Sequence, residues 1–272
     1  MNSEDRIIKA RAKLMKGNVG MATMLLNLEL IEASDRCETM ATDGVNIYWN
    51  DEFVKTLTDE EIQAVLVHEA SHVIWEHPLR LAKRNHMIWN IATDYVINAW
   101  ISYDLSMELP KDGLLDRIYH GKSAEQVYRI LTNDDDALKN AMAEMESKSE
   151  DDSESESDTS SSNSNGDSEE EPEEESEGNS EPSNGKGGKS LMDELADMKP
   201  SMGEVWMPTD EDGKELSDAD ISEIREKIER TLVLANKLEG VSNDGSSALG
   251  GVMSNLSQCN VDWKEALKDL LT

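Results

Sequence analysis

The stretch VLVHEASHVIWEH, residues 65–77, places two histidines four residues apart, with a glutamate directly after the first. Positions i and i+4 lie on one face of an α-helix, so His68 and His72 can bind one metal ion together. The apolar residues around them predict a buried helix. A lone histidine in such a helix is usually a hydrogen-bonded core residue, but the pair together with Glu69 favours a metal site.

The boundaries of this helix are also marked in the sequence. Thr58 is a favourable N-cap residue, and Glu61, three residues later, completes a capping box. Pro78 cannot continue a helix, so we expect the helix to end or kink before it. The histidine pair therefore lies within a well-delimited helix.

The chemistry that this motif predicts is zinc-dependent hydrolysis. Imidazole suits Zn²⁺, and three protein ligands plus a water form the usual catalytic arrangement. Zinc lowers the pKa of its water to about 7, so a neighbouring carboxylate can take the proton at neutral pH. Glu69 is predicted to be this general base, and then to carry the proton to the leaving amine.

The third metal ligand has two candidates. His77 follows His72 by five residues, about 140 degrees away around the helix, and reaches the metal only if the helix ends between them. Asp94 lies in the next predicted helix on a face with apolar Ile91, where a buried carboxylate needs a partner. We favour Asp94 and keep His77 as the alternative third ligand. His77 is otherwise expected beside the site, in the core.

Composition limits the classes of partner. The 272 residues carry a formal net charge of -32, which argues against nucleic-acid and anionic-membrane partners because phosphate binding needs a basic surface. Cys37 and Cys259 are far apart, so we expect a reducing compartment and no disulfide framework. Without a signal peptide or an apolar stretch of about 20 residues, the sequence predicts a cytoplasmic protein with no membrane span.

The acidic charge is concentrated in one segment. Residues 134–190 contain 20 Asp and Glu against 4 Lys, and the central part of this segment has no aliphatic or aromatic side chain to bury. This composition predicts an acidic, Ser/Glu-rich disordered linker over residues 134–200. It separates a metallopeptidase domain, residues 1–133, from C-terminal helices in residues 201–272, which we expect to pack back on that domain.

The predicted elements indicate an α+β fold that is mainly α. An amphipathic helix is predicted from Ile7 to about Leu30, with a break near residues 17–20. Asp43-Gly44 predicts a hairpin turn, followed by alternating apolar residues. Further helices are predicted from about Met87 to Tyr103, after Ser123, and from Ser217 to Gly240.

Several motifs together resemble a known family. LTDEEIQAVLVHEASHVIWEH, with MATDGVNIYWNDEFV before it and WNIATDYVINAWI after it, resembles the bacterial and phage metallopeptidases that carry a C-terminal von Willebrand factor A-like domain. LPKDGLLDRIYHGKSAEQVYRIL, LANKLEG and VDWKEALKDLL are also similar to segments of that family. The resemblance covers residues 20–133 and 217–272.

The resemblance implies a zincin-like fold, in which the active-site helix lies beside a small sheet. It also implies that His68, His72 and Asp94 hold Zn²⁺, that Glu69 is catalytic, and that the substrate is a protein or peptide. In zincins an edge strand beside the active helix binds substrate as an added strand, and residues 45–50 are the candidate. Tyr95, His86 and His120 are candidates for stabilising an oxyanion, although each is more often structural.

The chain stops at Thr272, where the von Willebrand factor A-like domain of the family would begin. We therefore expect a naturally short form, a split gene or a fragment, with such a domain as a possible partner or missing C-terminal part. The leading hypothesis is a zinc-dependent peptidase. The alternative is a catalytically idle zinc-binding interaction module with an acidic, partner-facing tract. Glu69 favours the enzyme, because a structural zinc site needs no base there.

Overall fold

A computed structural model describes residues 1–111, 113–150, 191–196, 198, 203–209 and 213–242. Within them the chain is mainly helical with one small mixed sheet, so the predicted mainly α, α+β class is confirmed. The helices are α1 (Ser3–Leu14), α2 (Val19–Leu26), α3 (Asp51–Thr56), α4 (Asp59–Ile74), α5 (His77–Arg80), α6 (His86–Tyr103), α7 (Ala124–Asn133), α8 (Asp135–Glu150), α9 (Leu191–Ala196) and α10 (Asp218–Ser242). The strands are β1 (Glu29–Glu32), β2 (Met40–Thr42), β3 (Asn46–Trp49) and β4 (Gly203–Val205).

The sheet is built around the predicted hairpin. Strands β2 and β3 pair antiparallel, and Gly44 between them has a φ of 91°, a conformation that favours glycine. The Asp43 carboxylate accepts hydrogen bonds from the backbone N–H groups of Val45 and Asn46, which fixes the turn. The prediction of a hairpin at Asp43-Gly44 is confirmed.

The order of the four strands is β1-β3-β2-β4. β1 pairs parallel with β3, and β4 pairs parallel with β2. β3 is therefore an inner strand, and the prediction that residues 45–50 form a substrate-binding edge is wrong. The edge next to β2 is filled by β4, which comes from more than 150 residues later in the chain.

The N-terminal helix is interrupted as predicted. α1 ends at Leu14 and α2 begins at Val19, but Leu30 lies in β1 rather than at the end of a helix. Backbone pairing of residues 29–32 with β3 outweighs their helical propensity, an effect of tertiary context on a short segment.

Helix α4 has the predicted start and stop. The Thr58 side chain and Glu61 form a reciprocal capping box at its start. The helix ends at Ile74, and Glu76 adopts a left-handed conformation with φ of 54° before α5, whose second residue is Pro78. α4 packs against α1, α2, α6 and one face of the sheet, so nearly all of its length is buried.

The structure describes two helices within the range predicted as a linker. Residues 135–150 form α8, and residues 191–196 form α9, although both ranges fall within the predicted linker. α8 buries apolar side chains at helical spacing against α6 and α7, a pattern that the high acidic content conceals: Leu138, Ala141, Met142 and Met145. The remainder of the predicted linker, residues 151–190, lies outside the described residues.

The helix that follows Ser217 returns to the N-terminal segment. The Ser217 hydroxyl accepts a hydrogen bond from the Asp220 backbone N–H, as expected of an N-cap. α10 packs along α2 and buries Ile228, Leu232 and Ala235 in the main core, and it extends to Ser242 rather than ending at Gly240. The segment VDWKEALKDLLT lies outside the described residues. Within the described part of the chain, every helix is too short or too polar to cross a membrane.

Candidate metal centre

Two helices bring three potential metal ligands together. His68 and His72 project from α4, and Asp94 projects from α6, which packs across it. The Nε2 atoms of the two histidines are 2.8 Å apart, and Asp94 Oδ1 lies 3.5 Å from Nε2 of His68 and 3.3 Å from Nε2 of His72. One ligand atom from each residue therefore faces a common point, and all three lie within 4.8 Å of one another.

The arrangement fits a divalent metal ion. Bonds of about 2.0–2.1 Å in a tetrahedral zinc site separate ligand atoms by about 3.3 Å. The two separations that involve Asp94 match this value, and the two histidine rings need to spread by about 0.5 Å. Asp94 Oδ1 is buried and has no hydrogen-bond partner among the described residues, which leaves a lone pair for a cation.

Neighbouring groups orient both imidazole rings. Asn98 Oδ1 lies 2.8 Å from Nδ1 of His68. An amide oxygen accepts but cannot donate, so His68 carries its proton on Nδ1 and its Nε2 lone pair faces the cluster. On His72, Nδ1 lies 3.1 Å from Nδ1 of His77, while Nε2 faces the cluster.

The position of His77 bears on the choice of third ligand. α4 does end between His72 and His77, which was the condition for His77 to reach the metal. Its ring nevertheless lies on the Nδ1 side of His72, and its backbone carbonyl accepts a hydrogen bond from Trp89 Nε1 at 3.1 Å. The assignment of Asp94 as third ligand remains a prediction, and this geometry favours it.

Glu69 lies beside the cluster and is fully buried. Neither carboxylate oxygen has a hydrogen-bond partner among the described residues. Burial raises the pKa of Glu69 to about 8, although the nearby His68 opposes this shift. An unpartnered carboxylate at this position is suited to exchange a proton with a water or substrate group.

The protonation states of His72 and Asp94 suit metal binding, whereas at His68 burial lowers the pKa but the neighbouring Asp94 and Glu69 raise it by more. Burial lowers the pKa of His72 to about 4, which keeps its imidazole neutral. Burial raises the pKa of Asp94, but its close contacts and charge interactions with His68 and His72 lower it by more, so the carboxylate stays ionised. Neutral imidazole and ionised carboxylate are the forms that coordinate metals.

The structure adds three residues to this site. Asn98 lies one turn after Asp94 on the same face of α6, a spacing visible in the sequence. Asn90 accepts a hydrogen bond from Val205 of β4, and Gly203 of the same strand lies against the site. No short-range pattern in the sequence marks Gly203 as a site residue. A Cβ atom on Gly203 would lie 2.6 Å from His68 Nε2 and 2.9 Å from Glu69 Oε1, so only glycine fits there.

The three oxyanion candidates are placed differently. The Tyr95 hydroxyl donates a hydrogen bond to Glu144 at 2.7 Å, and His120 pairs with Asp104 at the surface. His86 Nε2 donates a hydrogen bond to the backbone carbonyl of Val205 in β4 at 2.6 Å. Of these three, only His86 has a described contact with β4, the strand whose Gly203 lies against His68 and Glu69.

Comparison with known proteins identifies the family. Residues 2–272 match a family model described as "Putative metallopeptidase domain". No curated protein and no solved structure matches the chain. The match spans nearly the whole chain, and it includes the helices that carry the His68, His72 and Asp94 cluster. The chain belongs to this metallopeptidase-domain family.

Proposed function

We propose that this domain is a zinc-dependent peptidase that hydrolyses peptide bonds in protein or peptide substrates. The observation that carries the proposal is the meeting of His68, His72 and Asp94 at one point, beside the Glu69 carboxylate, which has no hydrogen-bond partner in the described part of the chain. Family membership supports metal-dependent peptide hydrolysis in general terms.

Each residue has a role in this proposal. His68, His72 and Asp94 would hold the metal, which supplies a Lewis acid that activates water and polarises the substrate carbonyl. Glu69 accepts the proton of the attacking water on a carboxylate oxygen and delivers it to the leaving amine. Asn98 holds the His68 ring in the tautomer that ligation requires, and His77 supports the ring of His72.

A catalytically idle zinc module is the second candidate function. Its support is that His68, Glu69 and His72 are each 0% exposed, as in a closed structural site. The unpartnered Glu69 carboxylate favours the enzyme, because a structural site gains nothing from an unsatisfied buried acid.

The substitution Glu69→Gln tests the enzyme. It keeps the size of the side chain but removes the base, so cleavage of a diverse peptide library should fall by about 10²–10⁴. Zinc content, measured by mass spectrometry, should stay at the wild-type value. Glu60→Gln, at an exposed position on the same helix, is the matched control and should cleave normally.

Two results would count against this proposal. If wild type and Glu69→Gln are equally inert across the library at full zinc loading, the idle module becomes the better account. If both cleave equally, the chemistry resides elsewhere.

The acidic balance and the two widely separated cysteines support a cytoplasmic location for this activity. The resemblance to proteins with a von Willebrand factor A-like domain supports such a domain as a partner.

A further inference from the structure

The backbone of β4 lies directly against the candidate metal centre. The position of a Cβ atom on Gly203 falls 2.6 Å from His68 Nε2 and 2.9 Å from Glu69 Oε1. The strand therefore occupies space beside a predicted ligand nitrogen and the predicted base. A peptide substrate needs this space to bring its carbonyl carbon to the reacting groups.

β4 is held on both sides through its main chain. On one side it pairs parallel with β2, and the Trp206 N–H donates to the Thr42 carbonyl at 2.9 Å. On the other side, the Val205 N–H donates to Asn90 Oδ1 at 3.2 Å, and the Val205 carbonyl accepts from His86. These groups recognise backbone rather than side chains, so any extended peptide offers them the same partners.

Polar groups near β4 remain unsatisfied while it is in place. Asn90 is 2% exposed, and its Nδ2 donor has no partner among the described residues. Both carboxylate oxygens of Glu69 also lack a hydrogen-bond partner among the described residues. β4 lies over these groups but forms no described hydrogen bond with them. A ligand matched to the site would satisfy them, because an unsatisfied buried polar group costs free energy.

We propose that β4 is an internal occupant of the substrate cleft, and that a peptide enters only when Gly203–Val205 leaves the edge of β2. Met40–Thr42, Asn90 and His86 then form with the backbone of the substrate the hydrogen bonds that they form with β4 in this structure. This inference rests on the proposed function. It adds a closed state of the enzyme, in which Gly203–Val205 must move before a substrate can bind.

The construction of β4 suits such opening. It has three residues and stands at the edge of the sheet, and short edge segments open at lower free energy than the whole fold. Its adjacent anchor is Trp206, whose ring centroid lies 4.7 Å from that of Tyr48 and 5.3 Å from Arg36 Cζ. This anchor packs with Ala33, Cys37 and Ala41 in a small cluster that is separate from the main core.

Trp206→Ala in the full chain loaded with Zn²⁺ tests the proposal. Loss of the anchor should raise amide exchange at Val205 and speed zinc extraction by a chelator by about tenfold, equal to about 1.4 kcal/mol. Initial cleavage of a peptide library should increase, while the zinc content at equilibrium stays unchanged. Tyr103→Ala, which removes a partly exposed aromatic ring from the far end of α6, should change none of these quantities.

Gly203→Ala is a second, independent variant, because its added Cβ cannot coexist with β4 in its observed place. It should show the same three changes even if Trp206→Ala fails to fold. Wild-type rates of extraction and exchange in both variants would overturn the proposal. So would reduced cleavage at full zinc content, since β4 would then be a required part of the working site. Faster extraction and exchange without cleavage by any variant would support β4 as the cover and overturn the peptidase.

Discussion

The Nδ1 atom of His68 lies 2.8 Å from Oδ1 of Asn98 across the packed helices α4 and α6, and both side chains are fully buried. The contact ties the orientation of the His68 ring, a predicted ligand, to Asn98. Asn98 lies one helical turn after Asp94, which is another predicted ligand. Metal affinity should therefore depend on Asn98 even though Asn98 is not itself a predicted ligand.

Asn98→Ala should weaken zinc affinity by about 10- to 100-fold, because His68 loses the acceptor that fixes its tautomer. Competition with a chromophoric chelator measures the loss. Asn98→Asp keeps an acceptor for His68 but removes the donor to the Leu114 carbonyl, so it should retain most of the affinity. Equal losses in the two variants would assign Asn98 a packing role only.

Asp94→Ala should reduce zinc affinity far more than His77→Ala. Asp94 Oδ1 faces the Nε2 atoms of both histidines, whereas His77 contacts only the Nδ1 side of His72. The loss of a ligand should exceed the roughly 10- to 100-fold loss typical of a supporting residue. The reverse ranking in a chelator competition would make His77 the third ligand.

Ile228→Ala should lower the free energy of unfolding by about 2–4 kcal/mol, because the side chain is buried where α10 packs on the N-terminal core. Val233→Ala, at a position of the same helix that is 47% exposed, should change it by less than about 0.5 kcal/mol. Denaturant unfolding measures both values. If both substitutions had similarly small effects, α10 would not unfold cooperatively with the core.

The Arg80–Glu125 ion pair joins α5 to α7 with two short contacts, from Arg80 Nη2 to Oε1 at 2.6 Å and to Oε2 at 2.7 Å. Burial raises the pKa of Glu125, but the charge and hydrogen bonds of Arg80 lower it by more, so the net shift is downward. A depressed pKa in the folded state stabilises the fold above the unfolded value of 4.5, and this stabilisation is lost as pH falls through the folded pKa.

Glu125→Gln should therefore cost about 1–2 kcal/mol at neutral pH and little in strong acid. Thermal unfolding at a series of pH values from neutral to acidic measures the difference. Glu52→Gln, at an exposed position on α3, is the control and should follow wild type throughout. A constant difference at every pH would attribute the effect to packing rather than to ionisation.

Local signals in the sequence predicted much of this protein. The capping box at Thr58, the spacing of His68 and His72, and the turn at Asp43-Gly44 each depend on residues within a few positions of one another. Helix periodicity and capping act over this range, so these elements and the helical pair of the site were predictable. The pattern of α8 was also local, but its acidic surroundings concealed the buried stripe.

Tertiary structure alone decided which distant segments meet. The crossing of α4 and α6 brings Asp94 to the histidines and places His77 behind His72. The parallel pairing of β4 with β2 makes β3 an inner strand and lays Gly203 against His68 and Glu69. No local propensity encodes such contacts, because they arise from the burial of whole apolar faces and from backbone pairing between segments far apart in the chain.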